Sequence, residues 1–341
     1  MNNNKIILFL CTTLCLFTLS CNQLATSGTD REDKHQITVK DALGEQVTLG
    51  KAAQRIVCLY EPGLDALYML HADSNLIGIY HEVYTSDIYP FYAKLDSRIA
   101  EKKLPSTGTN HGAHIEHVIQ LAPDLVIAHA AQEDMVKALR NAGIQVYAVH
   151  ANVQEEVLKT VQDISILTGT EERGAELISY VQHEVETMKK RTHGMKNQKR
   201  VYFTWAYGRV FSTTGTKSMM HTCLEMAGVT NVCPFEVDQP NINAETLIKW
   251  DPDMIVMWND SPSLFYDRQE FRQIGAVKNK QIFNLVPMFL YNPHTLKALC
   301  TASAIHQWAY PEAHTNAKQS VEKTLTRLYG KDHAEKIITL W

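Results

Sequence analysis

Three histidines crowd one short stretch of this chain, His111-Gly-Ala-His114-Ile-Glu116-His117. His114 and His117 are three apart, a spacing that sets two imidazoles on one face of a helix and suits metal ligands. The same stretch opens a sixteen-residue pattern that recurs 129 positions later. The first copy runs from His114 through Glu116, Pro123 and Asp124 to His129; the second runs from Asn243 through Glu245, Pro252 and Asp253 to Trp258. The second copy keeps the glutamate and the Pro-Asp step but carries Asn243, Ala244 and Thr246 in place of His114, Ile115 and His117. The shared scaffold therefore does not depend on a metal. No metal site is expected, with His111 placed near a cleft and His117 on a solvated helix face. A zinc hydrolase built on His111, His114 and His117 is the weakest reading, because the first spacing does not fit His-x-His-x-Asp-His. The sequence has no Gly-x-Ser-x-Gly, no His-Glu-x-x-His and no phosphate-cradling glycine loop. Neither enzymatic activity nor a resident cofactor is expected.

Each copy of the pattern predicts a short helix, a Pro-Asp turn and a buried strand, because a polar start leads into an apolar run of strand length. Two copies are too few for a solenoid and point to two similar lobes. The spacing predicts a hairpin over 37–50, then strand 55–60, helix 64–71, strand 76–80, helix 132–142 and strand 145–149. A helical stretch follows from 152 to 191, interrupted near Gly169. Alternation then restarts with strand 200–205, helix 217–227 and strand 281–286, and helices at 294–308 and 316–329 close the chain. Strands alternating with helices imply mostly parallel sheets. The fold class expected is α/β, two Rossmann-like lobes with mostly parallel sheets joined by one long rigid α-helix. The boundaries drawn are 37–168 for the first lobe, 169–193 for the linking helix and 200–330 for the second lobe.

The 341 residues are 45% hydrophobic and 21% charged, with a net charge of −4. That mild acidity, without a Lys/Arg-rich stripe, argues against nucleic acid as a partner. Lys5 precedes an apolar run from Ile6 to Leu19 that is too short for a mature membrane span and fits a secretory signal over residues 1–20. Thr18-Leu19-Ser20-Cys21 is similar to a bacterial lipobox, with the leucine two rather than three before the cysteine. Cys21 is the expected lipidated N-terminus, plain cleavage and free secretion being the alternative, and residues 21–36 form a tether. Of the later cysteines, Cys58 and Cys300 are expected as buried small hydrophobes, while Cys223 and Cys233 could pair in an oxidising compartment.

Several features in order carry a family resemblance: Arg55-Ile-Val, Leu76-Ile-Gly, Ile115-Glu116 to Pro123-Asp124, the linking helix, Thr213–Ser218, Glu245 to Pro252-Asp253, and Ala276-Val-Lys-Asn. Over residues 37–330 the chain resembles the class III, helical-backbone substrate-binding proteins of ABC importers for iron-siderophores, haem and vitamin B12. The resemblance implies a monomeric carrier in the periplasm, anchored to the membrane through its N-terminal lipid. It would deliver an iron chelate or corrinoid to a permease dimer. It further implies that Glu116 and Glu245 meet arginines of that permease, and charge-assisted Arg–carboxylate pairs suit such docking. The plainer reading is that each glutamate decorates a helix start, which its dipole favours by about 0.3–1 kcal/mol. A single long linking helix implies small hinge motions rather than wide closure. After the first strand the family commonly has Pro-Ser-Ala-Thr-Glu, whereas this chain has Pro62-Gly63-Leu64-Asp65 and is one residue shorter. That loop faces the ligand in the family.

Ligands of parallel α/β sheets lie outside the carboxyl ends of the strands. Those ends supply Tyr60, Glu61, Tyr80, His81, Asn110 and His111 in the first lobe. In the second they supply Trp205, Tyr207, Arg209, Trp258, Asn259, Tyr291 and His294. Aromatic faces suit a large flat or hydrophobic chelate, and an arginine suits carboxylate or catecholate oxygens. The alternative is a bare metal ion or a small oxyanion such as molybdate, held by His111, His294 or Arg209.

Overall fold

The computed structural model describes residues 36–341 apart from 110, 193, 195–197, 206 and 314–315. Cys21, the signal segment, the tether up to residue 35 and the candidate Asn110 lie outside the described residues. The first described element is an antiparallel hairpin of β1 (Ile37–Lys40) and β2 (Gln46–Leu49). Asp41 closes its turn, accepting from the Leu43 and Glu45 backbone N–H groups at 2.9 and 3.0 Å.

The first lobe is built from β3 (Ile56–Cys58), α1 (Glu61–Met69), β4 (Leu76–Ile79), α2 (Tyr89–Leu95), α3 (Ile115–Gln120), β5 (Leu125–His129), α4 (Glu133–Asn141) and β6 (Val146–Val149). Its sheet is parallel throughout, in the order β4-β3-β5-β6. Continuous apolar runs make this possible: Leu125 to Ala128 are fully buried, as a strand covered on both faces must be. Helix α5 (Gln154–Thr168) then stops at Gly169, whose φ of +71° places it in the left-handed region that ends helices. Helix α6 (Glu171–Thr192) links the lobes. It lies close to α5, since a Cβ on Gly174 would come within 2.4 Å of Ser165 Oγ.

The second lobe holds β7 (Arg200–Thr204), α7 (Met219–Met226), β8 (Thr230–Asn231), α8 (Ala244–Trp250), β9 (Met254–Trp258) and β10 (Ile282–Leu285). Its parallel sheet has the order β8-β7-β9-β10, which is the first sheet's topology repeated. The register repeats as well. Ile56 pairs with Leu125 in the first sheet and Val201 with Met254 in the second, so the same offsets relate every pair that follows. The expected α/β fold with two parallel-sheet lobes is what the structure has.

The repeated Pro-Asp step has a structural reason. Asp124 accepts from the Gln54 and Arg55 backbone N–H groups at 2.9 and 3.1 Å, and Asp253 accepts from the Arg200 N–H at 2.8 Å. Each aspartate thus receives the backbone as it enters the first strand of its lobe. The arginine there reaches back to the end of the preceding helix: Arg55 donates to the carbonyls of Leu121 and Ala122, and Arg200 to those of Trp250 and Asp251. Ala122 and Asp251 have φ of 45° and 41°, so both helices end in a left-handed residue with carbonyls left to cap.

After β10 the chain returns to the first lobe. Helix α9 (Ala298–Ala309) packs on α7, α10 (Ala317–Tyr329) on α1, and α11 (Lys331–Ile338) on α2. The sequence did not signal α11. Two joints fix this return, the first of them fully buried. Lys297 and Asp65, both fully buried, form a 2.9 Å ion pair, with the Tyr329 hydroxyl donating to the other Asp65 oxygen and Phe289 beneath the ammonium at 3.6 Å. Arg173 on α6 donates to Met69 O at the end of α1 and to Arg327 O and Leu328 O at the end of α10. Cys58, Cys223, Cys233 and Cys300 are buried free thiols, so Cys223 and Cys233 are not paired. Among the described residues, no helix is long and apolar enough to cross a membrane.

Candidate functional site

A strand order of second-first-third-fourth creates a switch point between the first and third strands, where the connections leave in opposite directions and open a crevice. In the first lobe that point lies between β3 and β5. Extending the observed register by two residues sets Tyr60 beside His129, and their rings stack at 4.2 Å with 9° between planes. In the second lobe the equivalent point lies between β7 and β9, where Trp205 and Trp258 meet edge to face at 5.1 Å. His129 and Trp258 are the last residues of the two copies of the repeat. Each lobe therefore places one aromatic pair at the same point in its sheet, with Trp205 itself buried.

His294 joins the two ends. Its ring lies parallel to Trp205 at 6.3 Å, and its Nδ1 pairs with the Ala151 carbonyl of the first lobe at 2.8 Å. A carbonyl can only accept, so Nδ1 carries the proton. At the rim, Asn259 donates to Asp87 at 2.9 Å across the same gap, with Asn259 held at φ 52°. His150 follows β6 and is clamped between Glu156 (2.8 Å) and Asn152 (3.1 Å).

Burial disfavours the charged form of His129 and His294. It pulls the His129 pKa from 6.5 down to about 4, and the nearby His150, His294 and His111 push the same way. His294 is lowered as well, chiefly by burial, with its Ala151 bond acting in the opposite sense. The indole Nε1 of Trp258 is buried without a hydrogen-bond partner, whereas Trp205 Nε1 donates to Thr213 O at 3.1 Å. The strand ends meeting here are thus aromatic, with the Glu156 carboxylate on His150, Asp238 close to His150 and His294, and one buried indole donor without a protein partner.

Not every expected residue faces this surface. Tyr80 is 1% exposed, with its hydroxyl buried and unpartnered near Glu61 and Asp65, and Tyr291 is 5% exposed, packed against Trp341. Both close the core, Tyr80 directly after β4 and Tyr291 at the end of a 3-10 turn over Met288–Tyr291. Glu61 belongs to the same buried group; burial raises its pKa and the nearby Lys297 lowers it. His81, His111, Tyr207 and Arg209 are exposed on loops beyond the strand ends, Tyr207 at 76%. His129 and His150 were not anticipated, although His129 closes the first repeat as Trp258 closes the second.

Glu116 and Glu245 are exposed in the first turns of α3 and α8. Both helices end beside the start of a strand, where Arg55 and Arg200 cap them. Their first turns therefore point to the carboxyl ends of the sheets, the side that carries the cleft. His114 is an exposed N-cap residue and His117 is half-buried. Among the described residues no three His, Cys, Asp or Glu side chains stand together to hold a metal ion.

Residues 56–287 match a family described as periplasmic binding protein. The chain belongs to that family. An uncharacterized ABC transporter substrate-binding lipoprotein of Bacillus subtilis, YvrC, is 24% identical over 78% of this chain and 83% of its own. The vitamin B12-binding protein of Salmonella typhimurium is 26% identical over 46% of this chain and 59% of its own. The fold is shared with Helicobacter pylori CeuE, solved as a nickel–histidine complex, at a TM-score of 0.75 and 21% identity, covering 90% of this chain and 99% of that one. The periplasmic binding family and these relatives are solute-binding proteins, which work with the permease components of ABC transporters.

Proposed function

We propose that this protein is the lipid-anchored substrate-binding component of an ABC importer, a carrier without catalytic activity. It captures an iron chelate (siderophore or haem) or a corrinoid between its lobes and delivers it to the permease through Glu116 and Glu245. The observation that carries this reading is the matched pair of aromatic floors, Tyr60–His129 and Trp205–Trp258, at the switch points of two sheets. Such faces gain little from a small, strongly hydrated ion but cover a broad, weakly hydrated chelate well. A small oxyanion such as molybdate would be better served by cationic or multiple N–H groups. Histidines held neutral by burial do not supply that charge. The first lobe, the linking helix and the second lobe then act as clamp, strut and clamp, with Cys21 tethering the whole to a membrane.

The test is the visible spectrum of the protein purified from its own cells, followed by titration of the ligand-free form with haemin, cobalamin and ferric catecholates. A haem, corrinoid or ferric band, or saturable quenching of tryptophan emission from Trp205 and Trp258, is expected. A colourless protein that ignores all three and binds molybdate would overturn the reading.

A further inference from the structure

The cleft is fastened differently at its base and at its mouth. At the base, the chain returning from the second lobe is held to the first by the fully buried Lys297–Asp65 pair and by His294 Nδ1, which donates to the Ala151 carbonyl at 2.8 Å. Separating a buried pair leaves charges without partners, so this end resists opening. At the mouth, Asn259 Nδ2 donates to Asp87 Oδ2 at 2.9 Å, a bond between residues 172 apart in sequence. That bond is exposed, and water replaces a lost partner there at little cost. Lobes pulled apart therefore part first between Asn259 and Asp87.

Both ends of this bond are held in place. Asn259 follows the second copy of the repeat as Ala130 follows the first, and each donates its backbone N–H to the fourth strand of its sheet. Ala130 reaches Val149 O at 2.8 Å and Asn259 reaches Leu285 O at 3.2 Å. Ala130 is buried, whereas Asn259 has a φ of 52°, a left-handed conformation that asparagine tolerates better than most residues. The next residue, Asp260, donates its N–H to Asn284 Oδ1 at 3.2 Å, and its carboxylate accepts from the Gly208 N–H. Across the cleft, Asp87 lies in a turn where the Ser86 N–H and hydroxyl both donate to Glu82 O, and the Tyr89 N–H donates to Ser86 O. The pseudo-symmetry of the two lobes is thus broken at the position that reaches across. Resting on the cleft's role in the function proposed above, we propose that Asn259 and Asp87 form a latch across its mouth. The latch sets how fast the lobes open, and hence how fast a ligand enters and leaves.

Trp258 supplies the readout, because its Nε1–H is buried without an acceptor and exchanges with solvent only when the cleft around it opens. Exchange is followed by NMR on ligand-free protein labelled at tryptophan, the signal being assigned by its absence in Trp258→Phe. Asn259→Gly keeps the left-handed backbone and removes the donor, and Asp87→Ala removes the acceptor. Each is expected to speed exchange roughly threefold to tenfold. Asn259→Asp sets a second carboxylate against Asp87 and should speed it as well. Adding Asp87→Asn to that variant should restore the wild-type rate, because amide and carboxylate have then changed places. Backbone amides of β3 and β7 should keep their wild-type exchange in every variant, which separates opening of the cleft from loss of global stability. For whichever of haemin, cobalamin and a ferric catecholate binds, entry and release should quicken by the same factor. Wild-type indole exchange in Asn259→Gly and Asp87→Ala, or no recovery in the swapped pair, would overturn the latch and leave the proposed function standing. Faster exchange in a protein that binds none of the three probes would support the latch and overturn that function.

Discussion

His129 carries the most specific consequence at the scale of single residues. Its pKa is drawn from 6.5 to about 4, so between those values the unfolded chain binds a proton that the folded one refuses. The stability it contributes is complete above the unfolded value and is lost as pH falls from 6.5 toward about 4; His294 has the same sign. Thermal melting of the ligand-free protein across that range should show a falling midpoint, with a shallower fall in His129→Gln. Identical slopes in the two proteins would remove His129 as a source. The sequence made Trp205 and Trp258 readable as cleft residues because large aromatics at strand ends are conspicuous. It hid His129, a residue type as common in cores and on surfaces as in sites, until register with Tyr60 placed it at a switch point. Tyr80 and Tyr291 show the opposite error. They too follow strands or turns, but the direction of a ring depends on the loop beyond it, which has no periodicity to read.

Among the elements, the Pro-Asp steps invite a paired comparison. Asp124→Ala and Asp253→Ala each remove the acceptor of backbone N–H groups that open β3 and β7; these bonds are solvent-exposed, so the expected cost is about 0.5–1.5 kcal/mol apiece. Because the two lie in separate sheets without shared partners, the double variant should lose the sum, read from urea midpoints. A loss in only one of them would show that the repeat is not equivalent in the two lobes. Strands and their order were legible here because apolar runs of strand length alternate with helical patterns, and because the same motif occurs twice at constant offset. Helix ends were less so: α9 begins at Ala298 rather than 294, since Asn292 to Thr295 form a side-chain-stabilised turn that leaves His294 free to cross to the other lobe.

At the scale of the whole molecule, the exposed glutamates on the cleft side predict a separation of binding from delivery. Glu116→Lys with Glu245→Lys should abolish ligand uptake in cells while leaving the affinity of the purified protein unchanged. Uptake at the wild-type rate would sink the docking role. The two-lobed plan was visible in the repeat, but the return of the chain was not. Asp65 and Lys297 are joined across 232 residues of sequence, and no local pattern announces a partner that far away. That buried pair bears on how the chain comes to fold. A first lobe emerging alone from the ribosome has Asp65 beneath a place where neither Lys297 nor Tyr329 has yet arrived, and the carboxylate there has nothing to neutralise it. The half of the molecule made first is therefore finished last, once Lys297 and Tyr329 have been made.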